Sequence, residues 1–260
     1  MQKKLISLLM PAYNTVRFIK FAIDSIKKQT YDNWELIIVD DCSDDGTWEL
    51  ASKLSESDSR IKIYKNDLNL GIVKNRKRAY ELSSGELVSH FDNDDMLERY
   101  ALEEMLNAFD QQPDVMLIYS DISQIGEKGE HQLYSASINF DPNKLYQHGW
   151  RHFGMYRREV MRHIDGYNEK LISGCEDGDL FMQIAEKFPC ARLPKALYLY
   201  RSHGENKSGK NKKCDSCSER PVCNFLRVWS KSANYDPITF KPLEVPAGQK
   251  VDEVTGIQTQ

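Results

Sequence analysis

Short apolar runs alternate with segments of helical periodicity along the first half of the chain. The run at residues 5–10 is continuous and ends before a proline, which is typical of a buried strand. In the next segment, residues 16–26, apolar side chains recur on one face, which predicts an amphipathic helix. Further strands are predicted at 34–39, 60–64, 87–91 and 115–119, and further helices at 47–54, 73–82 and 97–109. This order predicts repeated βα units.

Strands that are joined by helices run parallel and have both faces covered, so their sequences are continuously apolar rather than alternating. The run Leu36-Ile37-Ile38-Val39 has this character. We therefore predict an α/β fold with a mostly parallel central sheet and helices on both faces. In such sheets, ligands bind in a crevice beyond the carboxyl ends of the strands.

Polar residues follow three of the predicted strands at the ends where a ligand would bind. Residues 11–14 end the first strand, Asp40 and Asp41 end the second, and residues 92–95 end the fourth. Asp and Asn are also common at turns and helix caps, where their side chains bond to nearby backbone groups. Their order and spacing at three strand ends favour one crevice with a ligand site over three unrelated turns.

The densest polar cluster is Phe91-Asp92-Asn93-Asp94-Asp95. Carboxylates that are crowded within a few ångströms either have raised pKa values or bind a counter-charge. A divalent ion with an anionic ligand supplies that charge at neutral pH. The cluster therefore predicts a cation site.

Composition narrows the class of protein and of partner. The chain has 260 residues, 40% of them hydrophobic and 28% charged, which suits one large domain or one domain with an appendage. Its net charge of -4 offers no general attraction to nucleic acid, so we expect a small ligand and no nucleic-acid partner. No apolar run is long enough for a signal-peptide core or an integral membrane segment. The scattered Cys42, Cys175 and Cys190 suit a reducing cytoplasm.

We assign residues 209–260 to a C-terminal appendage that ends in a loosely ordered tail. The appendage contains Cys214, Cys217 and Cys223, whose spacing suits a structural Zn²⁺ site completed by a ligand from elsewhere. The alternative is three unligated thiols in a reduced protein, since the second cysteine pair of a standard zinc site is incomplete.

Several motifs occur in an order that is shared by one enzyme family. They are Pro11-Ala12-Tyr13-Asn14, VDDCSDDGT at 39–47, Asn69-Leu70-Gly71 with Arg76, FDNDD at 91–95, CEDGDL at 175–180 and YRSH at 200–203. The ordered set resembles family 2 glycosyltransferases of the GT-A fold over residues 4–208. The resemblance implies a GT-A domain at 1–208, with a nucleotide-sugar-binding part at 1–119 and an acceptor-binding and catalytic part at 120–208.

The resemblance implies an inverting transfer of a sugar from a nucleotide diphosphate sugar, most commonly a UDP-sugar, to an acceptor hydroxyl. Mn²⁺ or Mg²⁺ would assist by bridging the donor phosphates. The expected acceptor is a saccharide, a lipid-linked molecule or a protein, in bacterial-type polysaccharide or glycoconjugate synthesis. The expected location is the cytoplasm, with room for peripheral association at the inner face of the membrane.

The resemblance also implies roles for individual residues. Asp94 and His203 would hold the metal, Asp95 would support them, and Asp177 would be the catalytic base. The nucleotide sugar would contact Pro11, Ala12, Tyr13, Asn14, Asp40, Asp41, Arg76, Asp92 and Asn93.

Some of these residues could instead have a purely structural role. Tyr13 could be a packed aromatic residue at a strand end, Arg76 a residue on a solvated helix face, and His203 a histidine in a surface turn. Trp150 and Phe153 are predicted to line the acceptor site, although core aromatic residues would look the same in the sequence.

The chain departs from the family pattern at two positions. Gln183 stands one turn after Asp179 where arginine is common, so no ion pair is expected there. Lys77 follows Arg76 where asparagine is usual. Neither departure changes Asp177.

Two other functions remain open. One is a catalytically idle relative that acts as a nucleotide- or partner-binding module. The other is nucleotidyl transfer, which uses a related sheet and carboxylate-bound metal. A nucleotidyltransferase would carry a glycine-rich loop near the first strand, and residues 11–15 contain no glycine. The intact acidic motifs favour glycosyl transfer.

Overall fold

The structure, a computed structural model, describes residues 3–135, 137, 139–141, 153–171 and 176–204, together with the backbone of 250–251 and 258–259. Its strands are β1 Ile6–Ala12, β2 Trp34–Asp40, β3 Ile61–Lys65, β4 Leu87–His90, β5 Met96–Leu97, β6 Leu117–Ile125, β7 His131–Ser135, β8 Gly154–Arg157, β9 Cys190–Arg201, β10 Lys250–Val251 and β11 Gln258–Thr259. Its helices are α1 Ile19–Lys27, α2 Thr47–Ser55, α3 Ile72–Leu82, α4 Ala101–Gln111 and α5 Glu176–Ala185, with a 3-10 helix at Arg158–Arg162.

The alternation of strands and helices predicted for residues 5–119 is confirmed, with shifts of a few residues at the ends. The largest shift at a helix start is in α4, which begins at Ala101 rather than near residue 97. Met96 and Leu97 instead pair with β9 and form the short strand β5. The strand predicted at 115–119 continues to Ile125 as β6.

The strands of residues 6–201 form one sheet in the order β3-β2-β1-β4-β8-β6-β9-β5, with β7 paired to β6. Strands β3, β2, β1 and β4 are parallel neighbours, and β6 and β9 are also parallel. Strands β5, β7 and β8 are antiparallel to their neighbours. The predicted mostly parallel sheet is therefore confirmed, but β8 stands between the two parallel groups.

Helices cover both faces of the sheet, as predicted. On one face, α1, α2 and α4 contribute Ile23, Ala51 and Met105 to the core cluster that includes Leu8 of β1. On the other face, α3 and α5 contribute Val73 and Leu180 to the cluster that includes Leu9 of β1. Because successive strand residues point to opposite faces, β1 is buried on both sides and lies near the centre of the core.

The predicted appendage at 209–260 lies outside the described residues, except that β10 and β11 pair in an antiparallel manner. Its separation from residues 1–208 stays a prediction, and so does zinc binding at Cys214, Cys217 and Cys223. Within the described residues, each helix is too short or too polar to cross a membrane.

Candidate active site

The three predicted strand ends meet in one place, because β2, β1 and β4 are adjacent and parallel. Asn93, after β4, donates a hydrogen bond from Nδ2 to the carbonyl of Pro11 in β1 at 2.6 Å and accepts one from Thr15 Oγ1 at 2.7 Å. The backbone N–H of Asp41, after β2, donates to the carbonyl of Ala12 at 2.8 Å. The crevice expected from the sequence is thus present, and Pro11, Ala12 and Asn93 form its frame.

The loop after β1 contains Asn14, which contacts the loop after β2, and Tyr13, whose side chain is exposed. Asn14 has a φ of 49°, and it donates its backbone N–H to Ser43 Oγ at 3.0 Å while its Oδ1 accepts the Asp44 N–H at 3.1 Å. These bonds hold the loop after β1 against the loop after β2. Tyr13, at the bend, is 49% exposed and is therefore not a packed core residue.

The neighbours Asp40 and Asp41 are both buried, but their carboxylates have different partners. Asp41 accepts hydrogen bonds from Asn66 Nδ2 at 2.6 Å, from the Leu70 N–H at 2.9 Å and from the Gly71 N–H at 2.8 Å. Asp40 accepts the Ser43 N–H through Oδ2 at 3.1 Å, while its buried Oδ1 has no hydrogen-bond partner among the described residues. Asp41 therefore anchors the loop that precedes α3, whereas one oxygen of Asp40 is buried without a partner in the described chain.

Arg76 lies on α3 and is 3% exposed, so the solvated-face alternative for it is wrong. Its Nη2 donates to Asp92 Oδ1 at 2.7 Å, and its Nε lies 3.3 Å from Glu176 Oε1. Burial lowers the pKa of Arg76, but the charges of Asp92, Glu176 and Asp177 outweigh burial and raise that pKa above its ordinary value. Arg76 thus remains a cation inside the protein and compensates nearby carboxylates.

Asp94 and His203 come together although they are 109 residues apart in the sequence. His203 Nε2 lies 3.0 Å from Asp94 Oδ2, and its ring packs on Phe18 with centroids 4.4 Å apart. The His203 side chain is only 5% exposed, so the surface-turn alternative is wrong. Burial, and then the charge of Asp92, raise the pKa of the Asp94 carboxyl above its ordinary value, although the contact with His203 opposes this shift.

The donor set of Asp94 and His203 fits a divalent cation, since a carboxylate oxygen and an imidazole nitrogen both suit Mn²⁺. In the described part of the chain, no group of three or more His, Cys, Asp or Glu side chains is arranged to hold a metal. A divalent ion at this pair would therefore take its other ligands from phosphate oxygens and water, as Mg²⁺ commonly does.

Asp177 lies in the first turn of α5. Its Oδ1 accepts the N–H of the adjacent Gly178 at 2.7 Å. The preceding Glu176 is 5% exposed, and burial raises the pKa of its carboxyl to about 7, with Arg76 opposing and Asp177 adding to the shift. The two neighbouring carboxyl groups thus differ, because Asp177 is partly exposed and Glu176 is buried.

The two residues that depart from the family pattern, Gln183 and Lys77, both make side-chain contacts. Gln183 Nε2 donates to Asp179 Oδ2 and to the Gly166 carbonyl, both at 2.9 Å, and Gln183 Oε1 accepts the Gly166 N–H at 3.0 Å. A neutral amide thus bonds to the Asp179 carboxylate at the position where the family pattern has arginine. Lys77 forms an ion pair with Glu169.

The part played by Arg201 was not predicted from the sequence. This buried residue at the end of β9 donates its backbone N–H to Asp95 Oδ1 at 2.7 Å and its Nε to the Asp94 carbonyl at 2.8 Å. Its Nη1 donates to the Glu127 carbonyl at 2.7 Å. The signal for Arg201 was an arginine directly after an apolar strand, since a buried cation needs partners.

The prediction that Phe153 lines an acceptor site is wrong. Phe153 is fully buried in the core, where its ring stacks on Tyr198 with centroids 5.8 Å apart. Trp150 lies outside the described residues.

The chain is similar in sequence to a known family and to curated proteins. The family model described as "Glycosyl transferase family 2" matches residues 7–165. Chondroitin synthase of Pasteurella multocida strain Pm70 is 29% identical over 247 residues, which cover 92% of this chain and 25% of that protein. Hyaluronan synthase of Pasteurella multocida is 30% identical over 213 residues, which cover 79% of this chain and 21% of that protein. The chain thus spans about a quarter of these relatives.

A solved structure supports the fold. The crystal structure of residues 1–349 of S. aureus TarS in complex with UDP-GlcNAc superposes with a TM-score of 0.68 at 20% identity, covering 89% of this chain and 66% of that one. The match confirms the predicted α/β fold of the GT-A type.

Proposed function

Because the chain belongs to glycosyl transferase family 2, we propose that it transfers a sugar from a nucleotide diphosphate sugar to an acceptor hydroxyl. One observation carries the proposal: the Asp94–His203 pair, the Asp92–Arg76 pair and the first turn of α5 belong to one connected site. The donor is a UDP-sugar, which the complex of the similar TarS with UDP-GlcNAc supports.

Residues at the ends of β1 and β2 bind the nucleotide. Tyr13 stacks on the base, since it is an exposed aromatic residue at the crevice. Asp40 accepts the imide N–H of uracil through the buried oxygen that lacks a protein partner in the described chain. Asn14 contacts the nucleotide from the neighbouring loop, whereas Asp41 and Asn93 hold the loops in place.

Asp94 and His203 hold Mn²⁺ or Mg²⁺, and Asp92 faces the donor sugar. When bound between these two side chains, the ion would supply Lewis-acid stabilisation of the charge on the leaving diphosphate. Arg76 compensates the Asp92 carboxylate, so that Asp92 stays ionised beside the sugar hydroxyls. Arg201 fixes the backbone of the acidic loop, which keeps Asp94 in position for the metal.

Asp177 is the general base, and the reaction inverts the anomeric carbon. The acceptor oxygen forms a bond to that carbon from the face opposite the diphosphate, and the bond to the diphosphate oxygen breaks with its electron pair. The acceptor proton passes to Asp177, so that the products are a glycoside and a nucleoside diphosphate. Asp177 is partly exposed at the start of α5, where an acceptor can reach it.

The acceptor belongs to a polysaccharide or glycoconjugate pathway, which the similarity to chondroitin and hyaluronan synthases supports. A saccharide, a lipid-linked molecule or a protein would each supply the hydroxyl. A cytoplasmic location, with peripheral contact to the inner face of the membrane, stays a prediction.

UDP release from a panel of UDP-sugars with Mn²⁺ tests the proposal. We expect release by the wild type, loss with chelator, and loss in Asp94→Ala and Asp177→Asn. Asp32→Asn, which changes a carboxylate that is 66% exposed, is the matched control and should leave the rate unchanged. Undiminished release in both site variants would refute the assigned roles.

The idle-relative alternative gives a different result. A nucleotide at about a hundred times its dissociation constant would stabilise the protein by roughly 2.7 kcal/mol in thermal unfolding. Stabilisation without release of UDP from any donor would favour a binding module over an enzyme.

A further inference from the structure

A buried arginine joins the two halves of the candidate site. Asp92 follows β4 in the first half, whereas Glu176 begins α5 in the second half. The guanidinium of Arg76 contacts both carboxylates, at 2.7 Å from Asp92 Oδ1 and at 3.3 Å from Glu176 Oε1. A single cation therefore bridges two elements that are far apart in the chain.

The burial of this bridge makes it costly to disrupt. The Arg76 and Glu176 side chains are 4% and 6% exposed. A buried carboxylate must be paired with a cation or protonated, and removing one partner of a buried pair leaves the other uncompensated. Burial raises the pKa of Glu176 to about 7 and Arg76 opposes that shift, so Arg76 favours the charged form of Glu176.

Helix geometry links Glu176 to Asp177. Successive residues of an α-helix point about 100° apart, so an inward Glu176 directs Asp177 away from the core. Asp177 is indeed partly exposed while Glu176 is buried. The Gln183 amide fixes the same helix two turns later through its hydrogen bonds to Gly166. The rotation of α5 is thus set at both ends.

We infer that Glu176 is a positioning residue, whose bridge through Arg76 to Asp92 holds the first turn of α5 so that Asp177 faces the reacting carbon. This inference rests on the proposed function. Glu176 does not take the proton itself, because its carboxylate is buried against Arg76. The bridge also ties the base to the donor side of the site, so the two reactants are aligned by one cation.

Glu176→Gln tests the bridge, since it keeps the shape of the side chain and removes its charge. The Arg76–Asp92 pair remains, so we expect kcat to fall by about 10- to 100-fold while the donor KM stays within about threefold. Glu186→Gln, at the exposed residue directly after α5, is the matched control and should stay within about twofold of the wild type.

Arg76→Lys gives a second, different result. Lysine keeps the charge but lacks the planar fork that contacts two carboxylates. We expect both a lower kcat and a higher donor KM, because Asp92 on the donor side loses its partner as well. A purely structural role would not separate the two variants in this way.

Glu176→Asp keeps the charge on a side chain that is one methylene shorter, and we expect its kcat to lie between those of the wild type and Glu176→Gln. Thermal unfolding establishes which variants are folded, and Arg76→Lys carries the test if Glu176→Gln does not fold. A kcat within twofold of the wild type, in the folded Glu176→Gln or otherwise in Arg76→Lys, would overturn the inference. A larger loss of kcat in Glu176→Gln than in Asp177→Asn would make Glu176 the proton acceptor and overturn it too.

The positioning role and the proposed function give different results when they are wrong. A wild type that releases UDP while the Glu176 variants match it refutes only the positioning role. A wild type that releases UDP from no donor refutes the proposed function, and the positioning role with it.

Discussion

In residues 6–97, the candidate site is built from the ends of neighbouring parallel strands, whereas in residues 117–204 it is completed by α5 and by the end of β9. Asp40 and Asn93 in the first region are placed by the backbone of the strands that precede them. In the second region, Asp177 is tied to this frame through its neighbour Glu176, which pairs with Arg76, and His203 is tied to it through its contact with Asp94.

Under the proposed function, the first region binds the donor and the second region aligns the base. Strand ends in a parallel sheet form a rigid frame, so the first region suits recognition of a donor. The second region must be tied to that frame by buried ion pairs and hydrogen bonds, so small changes there alter the alignment of the base. We therefore expect changes in the first region to act on donor KM and changes in the second to act on kcat.

The largest expected effect is in the second region. Asp177→Asn should lower kcat by about 10²- to 10⁴-fold, because a general base contributes that much to a transfer of this kind. The donor KM should change little, since donor contacts lie in the first region. Steady-state kinetics of UDP release check this, and a rise in KM with unchanged kcat would break the comparison.

A smaller effect is expected at the frame of the first region. Asp41→Asn removes a buried charge that accepts three hydrogen bonds, so the free energy of unfolding should fall by about 2–3 kcal/mol. The donor KM should rise more than kcat falls. Urea unfolding measures the change in stability, and steady-state kinetics measure the changes in KM and kcat. Asp44→Asn, at an exposed position three residues further along the chain, is the stability control. Equal stability of the two variants would contradict the anchoring role.

Gln183→Ala is the counterpart in the second region. It removes the amide that joins α5 to Gly166, and the free energy of unfolding should fall by about 1–2 kcal/mol because these hydrogen bonds are mostly neutral. Here kcat should fall more than KM rises. Gln111→Ala, at the exposed end of α4, controls for loss of an amide. If Gln183→Ala altered KM alone, the division between the regions would not hold.

The smallest expected effect is on the pH dependence of stability, and it comes from Glu35 near the start of β2, at the end of that strand away from the site. Burial would raise the pKa of Glu35, but hydrogen bonds from Lys62, Ser84 and Ser7 outweigh burial and lower that pKa to about 2. Glu35 therefore stabilises the folded state above the unfolded pKa of about 4.5, and this stabilisation is lost as pH falls from there towards 2. The exposure of Lys62, at 45%, lets solvent screen the pair and limits its size.

Urea unfolding between pH 5 and pH 3 measures this contribution. The slope of stability against pH should be smaller in Glu35→Gln than in the wild type. Kinetic constants at pH 7 should be the same in both, since Glu35 lies away from the strand ends that form the site. An identical slope would show that Glu35 titrates normally.

Sequence reasoning predicted the first region better than the second, for a physical reason. Helical and strand periodicities are local, and they were clear from β1 to α4. Strand β8 has four residues and pairs antiparallel with β4 and β6, so its place depends on contacts with distant strands. Phe153, just before it, has the same sequence character in a core as in a binding site, and only packing showed that it is buried.

The sequence by itself determined the alternation of elements, the burial of the central strands and the placement of acidic residues at strand ends, because each follows from short-range periodicity and chain geometry. Tertiary structure alone decided which carboxylates are engaged by the protein and which retain an acceptor. Asp40 and Asp41 are adjacent in sequence, yet one anchors a loop and the other keeps a buried oxygen without a partner in the described chain. Partners such as Arg76 and Glu176 come from separate elements, and such long-range pairing is not encoded in local spacing.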